Sequence, residues 1–79
     1  MISEDHLEKI RSRLAAATPG PWKSFVEGRD HTSGSSFIKT AVDDIELTGA
    51  TVADQDFIAG ARQDVEALLA EVERLRASK

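Results

Sequence analysis

The sequence contains no cysteine and no tyrosine, and it has only two prolines and one tryptophan. The absence of cysteine excludes disulfide bonds and thiolate metal sites, and the two histidines, His6 and His31, share no ligand spacing. A chain of 79 residues buries only about 60% of its unfolded surface, so such domains usually depend on disulfides, a metal or self-association. Of these three means of stabilisation, self-association is the one that remains. We therefore expect a dimer or a larger homo-oligomer.

Long apolar runs and an excess of basic residues are also missing. No segment approaches the ~20 apolar residues of a membrane-spanning helix, and the start, MISEDHLEKI, lacks the basic and apolar regions of a signal peptide. The formal net charge of −4 disfavours non-specific nucleic-acid binding, which needs a basic patch. We therefore expect one cytoplasmic domain over residues 1–79, with no membrane contact and no DNA partner.

The first element predicted is a helix over residues 3–17. Ser3 is a typical N-cap residue, and apolar side chains such as Leu7 and Ile10 recur at helical spacing. The helix must end before Pro19, because proline disfavours helical backbone at the residue before it.

Both prolines and the only tryptophan lie in the six residues ATPGPW, positions 17–22. Pro19 and Pro21 fix their own φ angles, and Gly20 between them can adopt conformations that other residues avoid. The segment is therefore predicted to be a stiff corner that delivers Trp22 to the next element in one orientation.

Three segments rich in β-branched and aromatic residues predict short strands, at residues 22–27, 36–42 and 44–48. Their short connections indicate an antiparallel meander, with a tight turn at Asp43 and Asp44. From Thr51 to the end the pattern is helical, and Thr51 with Asp54 resembles a capping box.

The C-terminal segment carries one continuous apolar stripe, which favours a long helix packed on the sheet. Asp64 could instead cap a second helix, so the pattern leaves open a break near Gln63. The predicted fold class is α+β: an N-terminal helix, a three-stranded antiparallel meander and a long C-terminal helix. The stripe consists of Phe57, Ile58, Ala61, Val65, Leu68, Leu69, Val72 and Leu75.

The most polar stretch is the loop GRDHTSGSS between the first two strands. Its Arg29, His31, Ser33 and Ser35 side chains and its backbone N–H groups are of the kind that hold a phosphate; the alternative is an ordinary solvated loop. No phosphate-loop, dinucleotide or GxSxG motif accompanies it. A chain this short also offers little wall for a water-excluding pocket, so we expect no enzyme, no cofactor and no metal site.

Arg62 follows three small residues, Ala59, Gly60 and Ala61, which would let a ligand approach the helix closely. The alternative is an exposed arginine beside Glu66, one turn further on. Trp22 and Phe57 could stack on a base, although Trp22 is also a candidate core residue.

Two segments, AAATPGPW and ADQDFIAGARQDVEALLAEVERLR, resemble the ends of the small Ead-like proteins carried by tailed phages and prophages. Those proteins often have proline where this chain has Glu66, and a proline there would start a new helix. A similar ending occurs in phage proteins that sequester the cyclic nucleotide signals of bacterial defence systems such as Thoeris.

The resemblance implies a non-enzymatic, homo-oligomeric phage accessory protein that sequesters an anionic small molecule, such as a defence signalling nucleotide. The alternative is a protein–protein inhibitor or adaptor that uses the amphipathic C-terminal helix. The predicted ligand-binding residues are Arg62, Arg29, His31, Trp22, Phe57, Ser33 and Ser35.

Overall fold

The order of elements along the chain is helix, three strands, helix. The computed structural model describes residues 2–32 and 34–78. The strands form one antiparallel sheet in the order β1-β2-β3, so the predicted α+β architecture is confirmed. The elements are α1 (Glu4–Ala16), β1 (Lys23–Phe25), β2 (Phe37–Lys39), β3 (Asp44–Glu46) and α2 (Val52–Ala77).

Both helices begin at side chains that accept hydrogen bonds from the first turn. The Ser3 hydroxyl accepts from the His6 N–H at 3.1 Å. Thr51 and Asp54 form a full capping box, in which each side chain accepts from the other residue's N–H, at 3.0 and 3.2 Å. From there α2 continues without a break to Ala77, so the alternative of a second helix starting at Asp64 is wrong.

The three strands are shorter than the sequence predicted. Ile38 lies at the centre of the sheet, opposite Ser24 on one side and Ile45 on the other. The pairing of β2 ends at Thr40, because its hydroxyl accepts hydrogen bonds from the N–H groups of Val42 and Asp43, at 3.1 and 3.0 Å. These bonds close a turn over residues that the β-branched pattern had assigned to a strand.

The sheet packs on the N-terminal half of α2. Ile38 and Ala59 are buried between them, and Leu7 of α1 is buried as well. Gln55 is only 4% exposed, and its Nε2 donates to the carbonyl oxygens of Phe25 and Phe37 at 3.2 and 3.1 Å. A polar side chain therefore joins the helix to two neighbouring strands inside the core.

Among the described residues, the other half of α2 packs against α1, which runs antiparallel to it, and against the residues that flank α1. Arg76, near the end of α2, donates to the Ile2 carbonyl at 2.8 Å, whereas Arg62 reaches Thr18, just after α1, at 3.1 Å. The resulting molecule is elongated, with extents of 51 × 20 × 19 Å. Neither helix, over the residues described, is long and apolar enough to cross a bilayer.

Candidate functional site

The ATPGPW corner is clamped to α2 by Gln63. The Trp22 N–H donates to Gln63 Oε1 at 2.8 Å, and Gln63 Nε2 donates back to the Trp22 carbonyl at 3.0 Å. The indole Nε1 of Trp22 donates to the Thr18 carbonyl at 2.9 Å. A Cβ added at Gly20 would lie 3.4 Å from Gln63 Oε1, so the corner passes close to the helix. The corner therefore holds the half-buried Trp22 in one orientation, as the sequence predicted.

Arg62 stands beside this corner and is largely covered. Its side chain is only 11% exposed; Nε donates to the Thr18 carbonyl at 3.1 Å and Nη1 to Glu66 at 3.2 Å. The alternative predicted an exposed Arg62 beside Glu66. The exposure is wrong, because the corner folds over the side chain, but the contact with Glu66 is present. A guanidinium has five N–H donors, so this fixed cation retains donors that make no hydrogen bond to the residues described.

Trp22 and Arg62 line one surface hollow of about 380 Å³ between α1, α2 and the corner. The small Ala61 side chain forms part of its floor, as the run of small residues had suggested. An aromatic ring, a fixed cation and an apolar wall therefore face the same space, a combination suited to a flat anionic molecule. The lining residues are Ile10, Arg13, Leu14, Trp22, Ile58, Ala61, Arg62 and Val65.

Arg29 lies outside this hollow and is engaged by carboxylates. Its Nη1 and Nη2 donate to the two oxygens of Asp56 at 2.8 and 3.1 Å, and its Nε donates to Asp30 at 3.0 Å. These hydrogen bonds lower the pKa of both carboxyl groups and raise the pKa of Arg29. The Val26 N–H, 2.8 Å from Asp30 Oδ2, lowers the pKa of Asp30 further. This arrangement ties the polar loop to the start of α2.

The remaining predicted residues are scattered. The His31 ring lies 5.6 Å from the ring of Phe37, Ser35 is exposed, and Ser33 lies outside the described residues. Phe57 is 76% exposed and borders a separate hollow of about 420 Å³ next to residues 47–50. Of the seven candidates, the described contacts bring only Trp22 and Arg62 together.

Sequence reasoning missed two residues that shape the hollow. Gln63 clamps the corner, but nothing in the helical pattern distinguishes it from a solvent-exposed glutamine. Arg13 stands at the rim, and its side chain has neither a hydrogen bond nor an ion pair with any described residue. Its place between Ile10 and Leu14 on α1 was the only signal available.

Comparison with known proteins gives no match: no family model, curated protein or solved structure is significantly similar to the chain. Within the described part of the chain, no group of three or more histidine or acidic side chains is placed to hold a metal ion. The hollow at Trp22 and Arg62 is therefore assessed on its geometry and chemistry.

Proposed function

We propose that this chain is a non-enzymatic, homo-oligomeric phage accessory protein of the host cytoplasm that captures an anionic small molecule such as a signalling nucleotide of host defence. The observation that supports this function is the hollow in which Trp22 and Arg62 face the same space. The indole can stack on a base, and the guanidinium can pair with a phosphate through two parallel hydrogen bonds.

The surroundings of Arg62 make it the better anion partner of the two arginines first considered. Its hydrogen bond to the Thr18 carbonyl holds the side chain in place, so less rotamer freedom is lost when an anion binds. Its low exposure also strengthens its field, because fewer water molecules screen it. Arg62 has one competing carboxylate, the exposed Glu66, whereas Arg29 would have to exchange both Asp56 and Asp30 for the ligand.

The test uses calorimetry with four probes: a cyclic dinucleotide, 3′,5′-cyclic AMP, adenosine and inorganic phosphate. Because the chain has one tryptophan and no tyrosine, the emission of Trp22 reports the same titrations optically. We expect the nucleotides to bind and to shift this emission, and adenosine and phosphate, each offering half of the contacts, to bind more weakly.

Two variants make this test specific. Arg62→Gln removes the cation, and we expect nucleotide affinity to fall by ~2 kcal/mol, or about 30-fold. Arg74→Gln, which removes an exposed arginine elsewhere on α2, is the matched control and should bind as the wild type does. If no nucleotide gives heat or an emission change, or if both variants bind alike, the proposal fails.

The alternative, a protein–protein inhibitor or adaptor that uses α2, is supported by a different observation. Phe57, Leu68 and Leu75 are 76%, 65% and 52% exposed, although they are large and apolar. An adaptor needs this face to be free for its partner. If another copy of the chain covers the face, the adaptor function loses its binding surface.

A further inference from the structure

Six apolar side chains of α2 follow a heptad repeat. From Ile58 to Leu75 they are separated alternately by three and four residues, the spacing of positions a and d in a coiled coil. The a positions carry β-branched residues and the d positions carry alanine or leucine. The row, in chain order, is Ile58, Ala61, Val65, Leu68, Val72 and Leu75.

α1 covers this row only in part: its Ile10 borders hollows that Val65 and Val72 also line, and the d positions Leu68 and Leu75 remain exposed. The sheet contacts α2 through Gln55, and α1 and its C-terminal extension contact α2 through Arg62 and Arg76, which occupy e positions of the same heptads. Leu68 at d remains 65% exposed and Val65 at a 38% exposed. An apolar stripe that runs along most of a helix marks an interaction surface.

We propose that a second copy of this chain covers the row, with the two α2 helices parallel and in register as a two-stranded coiled coil. β-branched residues at a together with leucine at d favour two parallel strands. The row itself therefore indicates both the stoichiometry and the orientation of the pair.

The charges beside the row favour the same orientation. In a parallel pair, a g residue lies next to the e residue five positions later in the partner, which places Glu71 beside Arg76 of the partner subunit. In an antiparallel pair, e residues face e residues and g residues face g residues. With the a and d residues of the row paired, that arrangement would bring Asp64 to Glu71, where like charges meet, and would place Arg62 beside Leu69, which offers no opposite charge.

The two-fold symmetry also brings α1 against the g side of the partner helix. Arg13 borders the same hollow as Ala61 and Val65, so it lies at the level of position 64. Neither Arg13 nor Asp64 has an ion pair or a side-chain hydrogen bond with any described residue. In the parallel dimer, Asp64 of the partner subunit approaches Arg13, and each gains an opposite charge.

The same register completes the candidate site, in a step that rests on the proposed function. Phe57 precedes the first a position and is therefore a g residue, so it lies next to Arg62 of the partner subunit. Ile58, Ala61 and Val65 line the hollow and also belong to the row, so the second copy closes the hollow on that side and adds an aromatic wall to the space beside Trp22 and Arg62. The dimer itself does not depend on any ligand.

Cross-linking tests the orientation. Because the chain has no native cysteine, the introduced thiol is the only one that can form a disulfide. In a parallel dimer Leu75→Cys places two thiols side by side near the end of the coiled coil, and oxidation should link nearly all of the protein. Ala70→Cys, at the exposed f position on the far side of the helix, is the matched control and should stay unlinked. Equal linking of both variants, or none of Leu75→Cys, would overturn the parallel dimer.

Sedimentation equilibrium without ligand tests the interface. Leu68→Glu should abolish the dimer yet keep the helical circular dichroism, because Leu68 is mostly exposed within one chain. Asp64→Arg should weaken the dimer about tenfold, and Arg13→Asp added to it should restore most of the affinity. A wild type that stays monomeric at every concentration, or a double variant weaker than the single one, would contradict the proposal.

Phe57→Ala separates the dimer from the ligand site. Because Phe57 is 76% exposed within one chain and lies outside the a and d row, the variant should fold and still dimerise, while its affinity for the cyclic dinucleotide should fall about tenfold. If this affinity is unchanged while the wild type binds, the completed site is refuted, although the proposed function stands. If the wild type dimerises but binds no nucleotide, the proposed function fails alone.

Discussion

Two glutamine side chains connect α2 to the rest of this molecule through hydrogen bonds. Gln63 both donates to and accepts from the backbone of Trp22, so its amide takes the place of a neighbouring strand. Gln55 donates to two strands at once. A side-chain amide has donors and an acceptor in one plane, and can therefore satisfy buried peptide groups that would be costly to leave unpaired.

At the same scale, Arg29 should govern the titration of two carboxyl groups. Its hydrogen bonds lower the pKa of Asp56 and of Asp30. Folding stability from these groups is therefore fully present above the ordinary aspartate pKa of about 3.9, and is lost as the pH falls through the lower folded values. We expect NMR titration to place both midpoints below the ordinary value.

Arg29→Gln should return the pKa of Asp56 most of the way to its ordinary value, because it removes the hydrogen bonds that lower this pKa most. Arg74→Gln is the control, since Arg74 pairs with Glu71 at a distant part of the surface. The role of Arg29 would be refuted if its variant and the control gave the same Asp56 midpoint.

At the scale of the elements, the capping box in the first turn of α2 contributes to stability. Thr51→Ala removes one half of the capping box, and we expect the free energy of unfolding to fall by about 1 kcal/mol. Thr48→Ala, three residues earlier in an exposed loop, should change it by less than ~0.5 kcal/mol. Denaturant melts of both variants decide this, and equal losses would show that the cap contributes nothing specific.

The elements differ in how well their sequences predict them. Both helices carry local signals, a cap at Ser3 or Thr51 and apolar residues at helical spacing, so the bounds of α1 and the start of α2 were predicted within one residue. The strands have only three residues each, and a hydroxyl at Thr40 ends one of them. The site was predicted in part: Trp22 and Arg62 meet, but the folding of the corner over Arg62 is a tertiary contact without a local signal.

At the scale of the whole molecule, the two halves of α2 are packed to different extents. Its first half packs on the sheet through Gln55 and Ala59, whereas its second half packs on α1 and the residue before it, within the described part of the chain, and leaves Leu68 and Leu75 exposed. A single chain of this size thus builds one small core and extends a helix pair beyond it. The second copy proposed above would cover this extension and give it a core of its own.

The extent of 51 Å along one axis has a consequence for hydrodynamics. The radius of gyration is 15.2 Å, against about 12 Å for a compact chain of this length. The Leu68→Glu monomer should therefore elute from a sizing column ahead of globular standards of equal mass and imitate a dimer. Small-angle scattering separates the cases, because side-by-side pairing doubles the forward intensity at nearly constant maximum dimension, whereas end-to-end association would lengthen the particle.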